Sequence, residues 1–174
     1  MHPSRAILFC GLLYNESAAQ KDLLCALEQE FGGIVLVSKP FLFTETSYYE
    51  EEMGPSLSRL FIAFDRLIET DRIADIKLKT IAMEKSSFSS PRGRNANIDP
   101  GYLTSAKVVL VTTKNFQHRI YLGEGIFGEV TLRYRRGSYG PWEWTYPDYT
   151  IAESLHFFNR LRVIYREKLR TEER

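Results

Sequence analysis

Side chains that could do chemistry crowd into one stretch of this chain, from Arg92 to Tyr149. It opens with Arg92-Gly-Arg94-Asn-Ala-Asn97-Ile-Asp99-Pro-Gly-Tyr102 and resumes after an apolar run with Lys114-Asn-Phe-Gln-His118-Arg119-Ile-Tyr121. It closes with Trp142-Glu-Trp144-Thr-Tyr146-Pro-Asp148-Tyr149. Arg92 and Arg94 stand before the apolar run, and Lys114 and Arg119 after it. Guanidinium forks and an ammonium suit phosphate or carboxylate groups through charge-assisted bonds. The plainer account makes Arg92 and Arg94 solvated loop residues and pairs Arg119 across a hairpin with Glu129.

The acids and aromatics carry similar double readings. Asn97 and Asp99 flank Ile98 before a Pro-Gly step, where an Asx-turn is the local explanation. Beside arginines, Asp99 could also act as a general base or a metal carboxylate. Asp148 could cap the last helix or serve as a base. Trp144 and Tyr146 could stack on a base or sugar, or cover the end of a sheet. Asp99 and Asp148 are thus the catalytic candidates. Arg92, Arg94, Asn97, Lys114, Arg119, Trp144 and Tyr146 are the candidates for ligand binding. His118 falls with apolar residues in the expected hairpin register, which favours a packed histidine over a base. With one such histidine and no thiol near it, no transition-metal site is expected.

Absent motifs narrow the field. No phosphate-binding G-x-x-x-x-G-K-[ST] occurs, and Gly123, Gly125 and Gly128 lie in or beside a hairpin rather than opening a helix. Neither H-E-x-x-H nor a G-x-S-x-G elbow is present. The formal charge of +1 argues against a protein built mainly to coat nucleic acid. Cys10 and Cys25 show no paired spacing, so they read as free thiols. The N-terminus lacks the small-residue cleavage pattern of a signal peptide. No apolar run approaches the roughly 20 residues that span a bilayer. A cytoplasmic protein without membrane partners is expected.

The elements that must position these residues follow from periodicity. Ala6–Leu13 is a continuous apolar run suited to a central strand covered on both faces. Ser17 and Gln20 form a capping-box pattern for a helix carrying Leu23, Leu24, Leu27 and Phe31, ended by Gly32-Gly33. Ile34 to Val37 is a strand that Phe41 and Phe43 extend past Pro40. Thr44 to Pro55 is a loop whose Glu50-Glu51-Glu52 run is a solvated surface, or else an acidic lid or part of a cation site folding over the pocket. Leu57 to Leu67 alternates as a strand, with Leu60, Ile62 and Phe64 on one face. Thr70-Asp71 caps a helix to about Phe88, with Ile73, Ile76, Thr80 and Met83 inward.

Ser86 to Arg94 is an exposed connection, and Asp99-Pro100-Gly101 is a turn before the strand Lys107–Thr113. A three-residue loop at Gly123-Glu124-Gly125 would set Leu122 opposite Ile126 and Arg119 opposite Glu129. Ile120, Leu122, Ile126, Val130 and Leu132 would then face the core. A last helix starts near Ile151, carries Leu155, Phe158, Leu161 and Tyr165, and frays from about residue 168. The order predicts one α+β domain over 1–174: a ferredoxin-like split βαβ core, its mainly antiparallel sheet covered by helices on one face. A C-terminal hairpin and helix extend it, and a mixed α/β sheet of another order is the rival.

At several of these residues the chain resembles a conserved prokaryotic family catalogued as domain of unknown function 4416. The likeness rests on Asn97-Ile-Asp-Pro-Gly-Tyr102, Thr113-Lys-Asn115 with His118-Arg-Ile-Tyr121, and Gly125-Ile-Phe-Gly-Glu-Val-Thr-Leu132. Trp144-Thr-Tyr-Pro-Asp-Tyr149, Tyr48-Tyr49 through Met53-Gly54, and Asp75-Ile-Lys-Leu-Lys79 match as well. The resemblance spans essentially the whole chain and implies a small stand-alone protein. It brings no catalytic residue and no cofactor to carry over. The residues themselves lead to a small-molecule binding domain, with or without a reaction, for an anionic ligand such as a nucleotide or sugar phosphate. An RNA-binding module on an open sheet face and a ligand-free interaction domain are the rivals.

Overall fold

The computed structural model describes residues 5–45 and 48–172. In chain order, β1 (Arg5–Tyr14) is followed by α1 (Gln20–Phe31), β2 (Ile34–Val37) and β3 (Phe41–Leu42). A single helical turn, α2 (Glu50–Met53), leads to β4 (Ser58–Glu69), α3 (Ile73–Ser87) and the short strands β5 (Ser89–Ser90) and β6 (Gly93–Arg94). Then come β7 (Ala96–Leu103), β8 (Lys107–Thr112), β9 (Ile120–Gly123), β10 (Ile126–Arg135), β11 (Ser138–Pro141) and α4 (Ala152–Glu172).

The main sheet runs β11-β10-β8-β7-β1-β4-β2, with β3 on β4 and β9 on β10. Among the described residues its strand pairings are all antiparallel. The apolar run of β1 puts it in the middle, between β4 and β7, as expected. Alternation along β1 sends Leu8, Cys10 and Leu12 toward Leu23 and Leu27 of α1 and Ile73 and Ile76 of α3. Ile7 and Phe9 point the other way, into a cluster with Phe157, Phe158, Leu161 and Tyr165 of α4. Helices therefore cover both faces, not one, because β1 and β4 are apolar on both sides and each side needs a cover. The fold is α+β, a large antiparallel sheet with four helices among the described residues, and the sheet is larger than a split βαβ unit. None of these helices is long and apolar enough to cross a membrane.

Local signals misled at several junctions. Asp99-Pro100-Gly101 makes no turn: the tripeptide lies inside β7, opposite Gly11, Cys10 and Phe9 of β1. Glycine is required at 101 by packing, since a Cβ there would lie 2.4 Å from the Val109 carbonyl oxygen and 2.5 Å from the Phe9 ring. The β7–β8 ladder is short, joining only Gly101, Tyr102 and Leu103 to Leu110, Val109 and Val108. It stops at Pro100, which has no N–H to donate.

The expected capping box before α1 does not form either; Asn15 Oδ1 accepts the Ser17 amide instead, and the residue before the helix makes no side-chain cap. The Thr44–Pro55 segment contains α2, whose glutamates complement the positive end of the helix. The β9–β10 loop has two residues, Glu124 and Gly125, both at positive φ, so Ile126 faces Gly123. A register shift after Ile126 then restores the expected pairing, with Tyr121 opposite Phe127. A second shift between Val130 and Leu132 turns Leu132 to the α4 side, while Ile126 stays on the α3 side. Ile120 and Leu122 lie exposed on the outer strand instead of facing the core. Ser138–Pro141, not foreseen as a strand, pairs with the end of β10. The last helix continues to Glu172; expectations for residues 1–4, 173 and 174 lie outside the described residues.

Candidate functional site

Where the β7–β8 ladder ends, the sheet opens. Continuing the register would set Asp99 opposite Thr112 and Asn97 opposite Lys114. Those residues instead line a cavity of about 440 Å³, within the usual range of ligand sites. A strand edge left unpaired must find other partners for its backbone. Here α3 supplies them. The Ile98 amide donates to Glu84 Oε1 at 2.7 Å, and the Ile98 carbonyl accepts from Lys77 Nζ at 3.0 Å and Thr80 Oγ1 at 3.3 Å. A helix face thus stands in for the missing neighbouring strand.

The same lysine carries charge across to the next residue. Lys77 Nζ lies 3.2 Å from Asp99 Oδ1, and Asn97 Nδ2 donates to Asp99 Oδ2 at 2.6 Å. From β4, Arg59 sends Nε and Nη2 to Asp148 Oδ2, each at 2.6 Å, and its Nη1 lies 3.9 Å from Asp99 Oδ2. That Nη1 has no hydrogen-bond partner, and neither has the hydroxyl of Tyr149; both lie against Gly11, where a Cβ would crowd them. Arg94 bridges Glu52 and Glu84, and donates to Asn97 Oδ1 at 3.0 Å.

These contacts set the ionisation of the site in opposite directions. Burial alone would raise the Asp99 carboxyl, but Lys77, Arg59 and the Asn97 bond outweigh it and hold Asp99 below the usual range. For Glu84 burial wins, and Lys77, the Ile98 amide and Arg94 only partly offset it, so its pKa is raised. Burial works against the Arg59 charge, yet Asp148, Tyr149 and Asp99 more than compensate. Burial raises the phenols of Tyr49 and Tyr149, which stay neutral.

At the other end, Arg119 donates to buried Glu129 at 2.7 Å, to the Lys114 carbonyl and to the Tyr146 hydroxyl. His118 Nε2 shares the same Glu129 oxygen at 3.0 Å. It is a packed histidine, as expected, but through a carboxylate and the Trp144 ring, 5.1 Å away and nearly parallel, rather than through Val130. Trp144 is sandwiched between His118 and Trp142 and donates to the Val130 carbonyl. Lys114 Nζ stands 3.8 Å from the centre of the Tyr48 ring and, among the described residues, is the lining cation without a carboxylate partner.

Asp99, Asp148, Arg94, Asn97, Lys114, Arg119 and Tyr146 all line the cavity. Trp144 does not, because it belongs to the stack behind Arg119. Arg92 lies on a separate surface with Glu50, Glu51 and Asn95. Asn97 and Asp99 form no Asx-turn; they share one face of β7 and bond each other. Asp148 caps nothing with its carboxylate, which is spent on Arg59. Sequence reasoning passed over Arg59, Lys77 and Glu84. The usable signal for Lys77 and Glu84 was charge within the inward stripe of α3, at one turn from Ile73 and Thr80 respectively. Arg59 alternates with Phe61 and Ala63 on the β4 face opposite Leu60 and Ile62.

No group of histidine, cysteine and acidic side chains suited to a metal ion occurs among the described residues. No curated protein and no solved structure matches the chain. The residues of the cleft, from Phe43 to Tyr149, all fall within residues 4–165, which match the family model described as Domain of unknown function (DUF4416), and the chain belongs to that family.

Proposed function

We propose that this protein is a small-molecule-binding domain whose occupant, held between β7 and β8, carries an anionic group, as nucleotides and sugar phosphates do. The observation that carries this reading is the convergence of charged and aromatic residues from β4, α3, β7, the β8–β9 connection and the Tyr146–Tyr149 turn on one cavity. A core has no use for such a gathering, since charges taken from water need partners to be tolerated. Lys114 is the group for the anion: it is exposed, beside the Tyr48 ring, and free of carboxylates among the described residues. Arg94 offers a second, partly exposed guanidinium. Arg119 is committed to Glu129 and positions Tyr146. Any proton transfer in the cleft falls to Asp99, because Asp148 is covered by Arg59.

The order β7-β1-β4-β2, with α1 and α3 on one face, supports reading these elements as a split βαβ core within the larger sheet. The free thiols of Cys10 and Cys25 favour a reducing, cytoplasmic setting.

A thermal-shift screen of nucleotides and sugar phosphates at millimolar concentration tests the binding reading. A ligand at about 100 times its Kd should stabilise the fold by about 2.7 kcal/mol, and Lys114→Ala should shrink the effect. Absence of stabilisation by any anion overturns it.

A further inference from the structure

The lining charges of the cleft sort by accessibility. Glu84 is covered: one oxygen takes the Ile98 amide and the other Arg94. Asp148 is only 2% exposed, and Arg59 Nε and Nη2 both donate to its Oδ2. Lys77 and Arg59 are only 6% and 8% exposed. Asp99 differs from the other inner acids. Its carboxylate is 19% exposed and held in the ionised form, and it receives one bond on each oxygen, from Lys77 and from Asn97. An ionised carboxylate offers about four lone-pair sites, so acceptor capacity remains. The nearest unspent protein donor, Arg59 Nη1, stands 3.9 Å from Asp99 Oδ2, beyond hydrogen-bond distance, and leaves that capacity unfilled.

We propose that the ligand carries, besides its anionic group, a hydrogen-bond donor, an ammonium or a hydroxyl, that is received by Asp99. This rests on the reading of the cleft as an anion-accepting site and narrows it to amphoteric or hydroxylated anions. Lys114 engages the anionic end, and Asp99, across the opening between β8 and β7, engages the donor end. A purely anionic ligand without a donor gains nothing from Asp99 and meets its repulsion. Lys77 and Asn97 hold the carboxylate in place and need not touch the ligand.

The test uses the full chain and three probes with a common phosphate: ethyl phosphate, which has no donor beyond the phosphate, ribose 5-phosphate with hydroxyl donors, and phosphoethanolamine with an ammonium. Dissociation constants come from calorimetry or ligand-dependent melting. A hydrogen bond to a charged acceptor predicts that at least one donor-bearing probe binds about 10- to 100-fold more tightly than ethyl phosphate. The better of the two identifies the donor as ammonium or hydroxyl. Asp99→Asn should erase most of that ratio, whereas Lys114→Ala should weaken all three probes and leave the ratio in place. Equal binding of the three probes, or a ratio unchanged in Asp99→Asn, overturns this inference and leaves the anion site standing. Binding of none overturns both. The ratio on the unmodified chain decides even where Asp99→Asn does not fold.

Discussion

The cleft and the β9 hairpin break the usual division of residues in opposite ways. The cleft buries Arg59, Lys77, Glu84, Glu129 and Asp148, residue types that normally stay in water. The hairpin, a few residues further along, leaves Ile120 73% exposed, with Tyr121 and Leu122 beside it. The two departures differ in kind. Each buried charge in the cleft is held by a partner of opposite sign, so the group stands or falls together. The apolar residues of β9 depend on nothing comparable, since among the described residues β9 pairs with β10 alone and its side chains at 120–122 stay exposed. A cluster that ties distant chain segments together through buried ion pairs holds a shape; an exposed outer strand does not.

Removing one side of a buried pair gives the sharpest contrast. Asp148→Ala strands the Arg59 guanidinium and should cost about 3–5 kcal/mol in denaturant unfolding, far more than losing the exposed Arg72–Asp75 pair. Replacing Arg59 and Asp148 together with leucines should recover much of that loss. An Asp148→Ala variant no less stable than one lacking the surface pair would dissolve the distinction.

A smaller effect separates two carboxylates within the cleft. The folded pKa of Asp99 is depressed, so its contribution to stability is present above the unfolded value of about 3.9 and drains away as pH falls through the folded one. The folded pKa of Glu84 is raised, so its contribution is present below the unfolded value of about 4.3 and is lost as pH rises through the folded one. Stability measured against pH should therefore lose part of its acid-side decline in Asp99→Asn. In Glu84→Gln the decline above the ordinary glutamate range should flatten instead. The same change in both variants would refute the assignment.

The smallest effect belongs to the hairpin. Ile120→Lys should alter stability by no more than about 0.5 kcal/mol, read from the unfolding midpoint. A loss above 1 kcal/mol would mean that β9 is packed after all.

Much of the scaffold was legible in the chain because its signals are local. The apolar run of β1, the alternation of β4 and the stripe of α4 each reflect residues a few positions apart. The Arg119–Glu129 contact also followed from counting outward from the hairpin glycines. What misled was equally local: Asp-Pro-Gly is a strong turn signal, and here the pairing of β7 with β1 overrode it. Counting outward also failed for the faces of the hairpin, because the shift near Thr131 and the place of β9 outside the main strand order are tertiary facts. Lys77 and Glu84 were hidden because a charged residue on a helix stripe looks like an interruption until its partner is known.

By itself, then, the amino-acid order determined where strands and helices run and which stretch gathers reactive side chains, since periodicity and composition act over a few neighbours. Only the tertiary structure decided that β8 leaves β7 at Pro100 and that Lys77, 21 residues away, takes over the carbonyl of Ile98. A backbone group must be satisfied by whatever the fold brings within reach, and no local pattern says what that will be.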